Sequence, residues 1–503
     1  MHNPLTLSSS VISTNGRNDK SKFFERVWGN FCPQKFPQFP HTVLCTVLFL
    51  ILVGALLRIL FFTTLLQHPI SKLDFYFKDS DMYGNLEWVN NILSGDVLGR
   101  NPWHPQHAWM LQMAPMETWL SVWGGKEIFQ QAPLYSYGLA FLCKLTDNHL
   151  ILMRALQHGI GVLTSLLIYF IGRKLFGQRA GFFAGLLSTL YFPFLCMEFY
   201  FLRDFLALHF LAWFLLLIAL SREKQSWIWS LGAGFILGLA VLTRENLLIL
   251  LLWLPWALSP RSHPRFWKYV ALGFLGFALV LSPLWVRNVL CGAPVFAISN
   301  RLLESLIEGL AFDSTPSFMC LPDSMPHYLL EYQGKIVETF FAIVSDYPSG
   351  WAFVERLIAK GFALFYFLEP FNNLNLYYFT EQFPWLQCLI SYPALILAAL
   401  PGLWLAFKKK EGSFLFPVFC LLALGLLGGP ILARYRLILI PFYLLWAGVA
   451  LAYLREKWKP VYVMLLIYAG LPMLAFYMNS TLDPSLTHRP LEKNYAALIQ
   501  KQH

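Results

Sequence analysis

Long apolar runs separated by short polar segments make up most of the chain from about residue 42 to residue 478. Most of these runs have roughly the 17 to 25 residues that a helix needs to cross the hydrocarbon core of a bilayer. The pattern predicts an all-α membrane protein with about 11–13 transmembrane helices. The predicted spans lie near 42–66, 150–171, 180–197, 200–219, 226–242, 247–259, 269–286, 388–407, 413–429, 437–454 and 460–478.

Two longer segments, about 67–148 and 287–385, interrupt the alternation and are predicted to be outer loops that carry short interfacial helices. In the first loop, Pro133 opens an amphipathic piece of about 13 residues, which is too short to span a membrane. The apolar stretch from Phe362 to Phe371 in the second loop fits either an outer segment or a re-entrant one. The predicted organisation is an N-terminal cytoplasmic tail at 1–41, a transmembrane domain at 42–478 and a C-terminal tail at 479–503.

Composition and charge agree with a membrane protein. The chain is 57% hydrophobic and 13% charged, with a net charge of +10. The basic residues lie in short clusters between apolar runs instead of on one surface, so they favour a membrane topology and exclude a nucleic-acid partner. Because cationic clusters stay inside, the sequence predicts a multi-pass inner-membrane protein with a cytoplasmic N-terminus. The inner clusters lie within 17–35, 173–179, 222–224, 261–268, 408–410 and 455–459.

Several charged residues fall on the outer side in this threading, where the charge rule does not favour cations. Charged groups near membrane depth are costly and usually line a cavity or a ligand path. A planar guanidinium suits a phosphate group, and lipid phosphates sit at this depth. The alternative is that each arginine reaches the headgroups or pairs locally, Arg203 with Asp204 and Arg244 with Glu245. The outer group comprises Arg203, Arg244, Arg287, Arg434 and Arg436, with Glu198, Asp204 and Glu245.

The first outer loop contains an acidic turn, Asp79-Ser80-Asp81, followed by a helical pattern of about 13 residues that Gly95 ends. One interpretation is an N-cap cluster that satisfies free backbone amides. The other is that one carboxylate acts as general base on an acceptor hydroxyl at the membrane surface. The spacing leaves both interpretations open.

The eight cysteines show no zinc-site spacing. Cys291 and Cys320 share one polar loop and would pair only in an oxidising compartment. No cofactor is required by the pattern, although a divalent metal could assist through Asp79 and another acidic group.

Motifs spread along the chain resemble one enzyme superfamily. Asp-Ser-Asp-Met-Tyr at 79–83, Ser-Gly-Asp-Val-Leu-Gly at 94–99 and Gln-Ala-Pro-Leu-Tyr-Ser-Tyr at 131–137 resemble the first outer loop of bacterial GT-C membrane glycosyltransferases. These include protein O-mannosyltransferases and the lipid A aminoarabinose transferase. The likeness continues through residues 154–157, 173–181, 238–246 and 286–288, and returns in Ala-Arg-Tyr-Arg at 433–436.

The resemblance implies a GT-C-like helical bundle, a catalytic aspartate in the first outer loop and inverting transfer from a polyprenyl-phosphate sugar. Asp81 best matches the catalytic position. The family's usual Asp-Glu pair is Asp-Ser-Asp here, and its Lys-Pro-Pro is Gln131-Ala132-Pro133.

The predicted function is therefore a glycosyltransferase of the cell envelope that uses a lipid-linked sugar at the extracytoplasmic face, with protein, glycan or lipid as acceptor. Asp81 is the predicted general base. A transporter or flippase for an anionic lipid is the alternative, because outer arginines also suit a translocation path. The predicted donor-phosphate ligands are Arg244, Arg287, Arg434, Arg436 and Arg203, and the predicted acceptor or support residues are Asp79, Glu198, Asp204, Glu245, Asn288, Tyr83 and Gln131.

Overall fold

The structure is a computed structural model that describes residues 40–106, 108–259, 262–316, 321–365, 367, 369–370 and 372–457. Over these residues every regular element is helical, which confirms the predicted fold class. The predicted N-terminal tail up to residue 39, the predicted C-terminal tail, the last predicted span at 460–478 and Cys320 lie outside the described residues.

The described chain contains 22 α-helices, which we number in chain order. The first eleven are α1 (Pro40–Leu66), α2 (Leu73–Tyr76), α3 (Asp81–Leu93), α4 (Ala108–Met113), α5 (Met116–Val122), α6 (Leu134–Leu145), α7 (Leu150–Phe176), α8 (Gln178–Leu190), α9 (Phe192–Phe199), α10 (Asp204–Lys224) and α11 (Trp227–Thr243).

The remaining eleven are α12 (Leu254–Leu258), α13 (Phe266–Cys291), α14 (Arg301–Leu310), α15 (Met325–Tyr332), α16 (Ile336–Ser345), α17 (Gly350–Ala363), α18 (Leu376–Gln382), α19 (Tyr392–Lys409), α20 (Leu415–Leu427), α21 (Ala433–Arg436) and α22 (Ile440–Lys457). Short 3₁₀ helices occupy Pro69–Lys72, Glu245–Leu252, Pro384–Cys388 and Leu437–Leu439.

The chain divides into two compact units, Met1–Phe49 and Leu50–His503. In the first unit, the structure describes only the beginning of α1. The site described below lies within the second unit.

Five helical segments in the described ranges are long and apolar enough to cross a membrane: Thr42–Leu66, Leu150–Phe176, Asp204–Lys224, Phe266–Cys291 and Ala433–Glu456. Shorter apolar helices accompany them, including α11 and α20. The protein is therefore a multi-pass membrane protein.

Two predicted spans differ from the observed elements. The span at 180–197 is two helices, because the chain is extended at Tyr191 and α9 restarts with Pro193 in its first turn. The span at 247–259 is a 3₁₀ helix followed by the five-residue α12, so it does not form one continuous α-helix. In both places hydrophobicity predicted an apolar segment correctly but did not determine its backbone geometry.

Helices α11 and α13 pack with their backbones in direct contact. A Cβ added at Gly234 would overlap the carbonyl group of Gly273, and one at Gly276 would overlap the carbonyl oxygen of Leu231. Small residues permit this approach, which is a common way for membrane helices to associate. The contact fixes α11, whose C-terminal end leads directly into Arg244.

The two predicted outer loops have a hydrophobic cluster of their own, separate from that of the membrane helices. Trp119 of α5 is fully buried there, and its indole N–H donates to the Met110 carbonyl at 2.8 Å. Leu303 and Ile307 of α14 belong to the same cluster. We call this group, which also includes Trp123, Tyr328 and Ile343, the outer core. It joins the first predicted loop to the second.

Candidate active site

Helix α3 begins at Asp81 because Ser80 caps it. The Ser80 hydroxyl accepts a hydrogen bond from the backbone N–H of Tyr83 at 3.2 Å, and Ser80 itself is extended. The helix is 13 residues long, as the sequence predicts. Asp79 is exposed. Since Ser80 provides the cap, the Asp81 carboxylate is available for other contacts.

The Asp81 carboxylate receives hydrogen bonds from three distant parts of the chain. Arg434 donates to Oδ2, and Asn373 Nδ2 donates to the same oxygen at 3.0 Å. Gln131 Nε2 donates to Oδ1 at 3.0 Å. Asn373 also accepts from the backbone N–H of Asp81 at 3.3 Å, so it holds both the backbone and the side chain. These contacts fix the carboxylate while 23% of the side chain stays exposed.

Arginines have the largest electrostatic influence on Asp81. Burial alone would raise the pKa of this carboxyl, but Arg434, Arg203 and Arg301 together outweigh burial and hold the pKa well below its usual range. Asp81 is therefore a carboxylate in this state of the protein. Its basicity depends on where Arg434 points.

Two further ion pairs lie beside Arg434. Arg244 pairs with Asp204, and Arg203 Nη1 lies 3.6 Å from Glu245 Oε2. The local pairing that the sequence allowed, of each arginine with its next neighbour, is therefore wrong. Each arginine instead pairs with the acidic residue of the other segment, since one segment lies at the start of α10 and the other follows α11. Side chains of adjacent residues point in different directions, whereas those of facing segments can meet.

Arg434 lies between these two ion pairs and Asp81. Its Nη1 atom lies 3.9 Å from Asp204 Oδ2, and its Cζ atom lies 4.8 Å from the centre of the Tyr435 ring. Arg244 Cζ lies 4.3 Å from the same ring. In the part of the chain that the structure describes, Arg434 Nε, Arg244 Nε and Arg203 Nη1 are buried and make no hydrogen bond. Both Asp204 carboxylate oxygens and Glu245 Oε2 are likewise buried without a hydrogen bond there. The guanidinium N–H groups are donors of the kind that bind an anion.

A second set of charges comes from α14 and was missed in the sequence. Arg301 donates to Glu304, and its Nη2 atom donates to Glu308 Oε1 at 2.9 Å. The spacing of three and seven residues places all of them on one face of the helix. Glu304 and Glu308 are buried, and Arg301 contributes to the low pKa of Asp81. The helical spacing was detectable, but nothing in the sequence indicated that this face meets Asp81.

A cavity of about 1540 Å³ opens beside Asp81, Arg434 and the α14 charges, whereas Arg203, Arg244, Asp204 and Glu245 are not part of its lining. The first outer loop supplies one wall, including Asp79, Asp81 and Tyr83, and α14 supplies another. Asn372, Asn373 and Arg434 complete it. Its other lining side chains include several amides and aromatic rings, such as Asn101, Gln112, Gln130, Trp103 and Trp123.

Arg287 and Asn288, both named from the sequence, lie away from this cavity. The Arg287 guanidinium donates to the carbonyls of Leu98 at 2.7 Å, Glu127 at 2.6 Å and Gly99. Asn288 Nδ2 donates to three carbonyls of the turn that follows α13, including that of Ala297 at 2.8 Å. Both side chains hold the first outer loop and this turn in place.

Glu198 and Arg436 also lie outside the cavity lining. Glu198 binds Arg58 through two hydrogen bonds of 2.7 Å and His158 at 3.1 Å. Arg436 pairs with Glu369 at 2.9 Å. Each forms a buried charge pair between helices and loops of the bundle.

The sequence left a divalent metal open. Within the described ranges, no group of three or more His, Cys, Asp or Glu side chains is placed to hold one. The Asp81 carboxylate is surrounded by hydrogen-bond donors instead, which suit an anionic partner.

With the fold and the site in place, comparison with known proteins shows what the chain is similar to. Residues 130–286 match the family described as dolichyl-phosphate-mannose-protein mannosyltransferase. The match confirms the predicted resemblance in this segment. No curated protein matches the chain significantly.

Among solved structures, the chain is similar to archaeal oligosaccharyltransferases from Archaeoglobus fulgidus. The AglB enzyme, in complex with an inhibitory peptide and a dolichol-phosphate, is 15% identical, with a TM-score of 0.44 and coverage of 88% of this chain and 55% of that one. An oligosaccharyltransferase in complex with Zn and sulfate is 12% identical, with a TM-score of 0.41 and coverage of 85% and 52%. The apo form is 14% identical, with a TM-score of 0.44 and coverage of 90% and 56%. The chain thus spans about half the length of these proteins.

Proposed function

We propose that this protein transfers a sugar from a polyprenyl-phosphate donor to an acceptor at the extracytoplasmic face of the membrane. The observation that carries the proposal is the Asp81 carboxylate, held against Arg434 at the wall of a cavity of about 1540 Å³. A carboxylate beside buried guanidiniums provides a base for an acceptor and a site for a phosphate leaving group. The family match supports a donor of the dolichyl-phosphate class.

The reaction is a single displacement with Asp81 as general base. An Asp81 oxygen removes the proton of the acceptor hydroxyl while the acceptor oxygen attacks C1 of the sugar. The bond between C1 and the phosphate oxygen breaks, and its electron pair leaves with the polyprenyl phosphate. Because attack and departure occur on opposite faces, the anomeric centre inverts.

Arg434, Arg244 and Arg203 stabilise the departing phosphate. Their buried N–H groups without hydrogen-bond acceptors supply the donors that a phosphate requires. Asp204 and Glu245 hold these arginines through the ion pairs described above. Arg287 and Arg436 do not contact the phosphate in this proposal. Backbone carbonyls already bind the Arg287 guanidinium, and Glu369 binds that of Arg436.

Donor binding activates Asp81 by withdrawing Arg434. With Arg434 bound, the low pKa of Asp81 makes the carboxylate a weak base. A donor phosphate competes for the same guanidinium, and once Arg434 turns to the phosphate, the pKa of Asp81 rises. Gln131 and Asn373 keep the carboxylate oriented during the exchange.

The acceptor enters through the cavity, where Asp79 and Tyr83 lie beside Asp81. The volume exceeds the roughly 300–1,000 Å³ of ordinary small-molecule sites, so the donor sugar and a bulky acceptor fit together. The outer position follows from the charge rule, which keeps the basic clusters and the N-terminus in the cytoplasm.

Membranes that contain the protein and a radiolabelled polyprenyl-phosphate sugar test the proposal. Covalent label on an acceptor, lost in Asp81→Asn, is the expected result. Label that crosses the bilayer without a new covalent bond would instead identify a transporter and overturn the proposal.

A further inference from the structure

Lys360 is a fully buried cation outside the cavity lining. It lies on α17, and its exposed fraction is 0%. Among the residues that the structure describes, no ion pair joins its ammonium to a carboxylate. Burial and, to a smaller extent, the charge of Arg356 together lower the pKa of Lys360 to about 7. A buried amine without an acidic partner is costly, so its position calls for a physical reason.

Its two hydrogen bonds join segments that are far apart in sequence. Lys360 Nζ donates to the Gly309 carbonyl at 2.8 Å and to the Gly429 carbonyl at 2.7 Å. Gly309 lies in the last turn of α14, where carbonyls lack partners within the helix and the helix dipole favours a cation. The amine therefore caps α14 from outside while it also holds the chain at Gly429. Both its protonated and neutral forms can donate these two bonds.

The two segments that Lys360 joins lead to different groups of the proposed reaction site. Helix α14 bears Arg301, Glu304 and Glu308 on the cavity wall, and the chain that follows Gly429 leads to Arg434. Their backbones are already in close contact. A Cβ at Gly309 would lie 2.5 Å from the carbonyl carbon and 2.7 Å from the Cα of Gly429. The distance between the α14 charges and Arg434 is therefore set at this junction.

We infer that Lys360 is a positioning residue for the reaction: its amine locks α14 to the segment at Gly429, and thereby fixes Arg434 relative to Asp81 and the α14 charges. This inference rests on the proposed function. Lys360 contacts neither substrate nor reacting atoms, and acts through the two backbones that it joins. Since a displacement of about 1 Å at a reaction site can reduce a rate about 100-fold, loss of the lock should affect chemistry more than binding.

The test compares Lys360→Met with Lys360→Arg in the full chain in lipid nanodiscs. Methionine has a similar length but no N–H group, whereas arginine retains donors for both carbonyls. Lys335→Met is the matched control, because Lys335 is exposed in the same outer segment. Gly309→Ala is a second variant that separates the two backbones without changing any charge. Hydrogen exchange by mass spectrometry and transfer kinetics with a radiolabelled polyprenyl-phosphate sugar are both measured.

We expect Lys360→Met to speed exchange in segments 301–310 and 425–433 and to lower kcat about tenfold or more, with the KM for the donor within about twofold of wild type. Arginine should restore both readouts, and Gly309→Ala should reproduce the loss. Wild-type exchange and kcat in Lys360→Met, or faster exchange throughout the protein, would overturn the inference. Absence of transfer by the wild-type protein contradicts the proposed function, and the exchange data then decide whether Lys360 locks the two segments.

Discussion

At the scale of single residues, the most consequential contact is the one between Arg434 and Asp81. The Arg434 guanidinium forms an ion pair with the carboxylate on which the proposed chemistry depends. The same guanidinium lies near Asp204 and Tyr435. Arg434 therefore has several alternative partners within a short distance. A side chain in such surroundings can exchange partners at little cost, because each position offers a compensating charge or ring.

Replacing Asp81 by Asn removes the proposed base but retains the shape and a hydrogen-bond acceptor of the side chain. We expect transfer to fall at least about 100-fold, since general bases contribute about 10²–10⁴-fold. Asp147→Asn is the matched control, because Asp147 is exposed and has a positive φ of 50° that Asn tolerates. Initial rates in membranes check the result. Substantial turnover by Asp81→Asn would remove Asp81 from the mechanism.

The pH dependence of kcat/KM reports the free protein, in which Arg434 holds the pKa of Asp81 low. A carboxyl whose pKa is depressed by folding stays ionised until the pH falls through the folded value. We therefore expect no acid limb from Asp81 between about pH 5 and 8. In Arg434→Gln, the pKa of Asp81 rises, and the residual activity should decline as the pH falls within this window. Equal pH profiles for the two proteins would contradict the assigned ion pair.

Some residues of this site could be named from the sequence, and the others became evident only from the structure. Arg434 and Arg244 were selected because a charge at an outer membrane surface is costly. Asp81 was selected from the acidic turn and the family resemblance, and Gln131 from that resemblance alone. Asn373 and the α14 charges were missed because a polar residue in a long loop carries no such signal. Arg287 was selected by the same rule, but its guanidinium binds loop carbonyls. The energetic cost of a charge near the membrane indicates that the residue has a partner, but it does not indicate which group that partner is.

At the scale of helices, the glycine contact between α11 and α13 determines where Arg244 lies. The helix axis leads directly to this residue, and the backbones touch near Gly234 and Gly276. A sideways shift of α11 would therefore move a guanidinium of the proposed phosphate site. Packing inside the bundle and chemistry at its outer end are linked through one rigid element.

Gly234→Ala should destabilise the protein, because its new methyl group would overlap the backbone at Gly273. We expect a loss of about 1–3 kcal/mol, as for other overpacked contacts. Gly159→Ala in α7 is the control, since no atom lies within 4 Å of a Cβ there. Thermal unfolding in detergent, followed by tryptophan fluorescence, measures the difference. Equal melting temperatures for the two variants would argue against the close contact.

Hydrophobic length predicted the positions of most of the long apolar helices, because a backbone in lipid must satisfy its own hydrogen bonds. The predictions for α6 and α3 were close to the observed bounds. Length could not reveal the 3₁₀ helix at Glu245–Leu252 or the break at Tyr191, where the backbone pairs with Ile390. Both irregular places lie close in sequence to charged groups of the bundle or the site.

At the scale of the whole molecule, orientation decides whether the cavity faces the compartment proposed for the reaction. The charge rule places Lys409 inside and Lys335 outside. In a cysteine-free background, we expect Lys335→Cys to react with a membrane-impermeant maleimide in intact cells, and Lys409→Cys to react only after lysis. Both side chains are exposed. The reverse labelling pattern would invert the topology and place the site on the cytoplasmic side.

The outer core has a further effect on how a large molecule enters. Its apolar contacts are separate from those of the membrane helices, and they join both loops that border the cavity. A cluster with its own set of contacts can loosen while the rest of the protein stays folded. Loosening of the outer core would widen the entrance for a polymer or a lipid headgroup. The arginines of the proposed phosphate site belong to the bundle and would keep their positions.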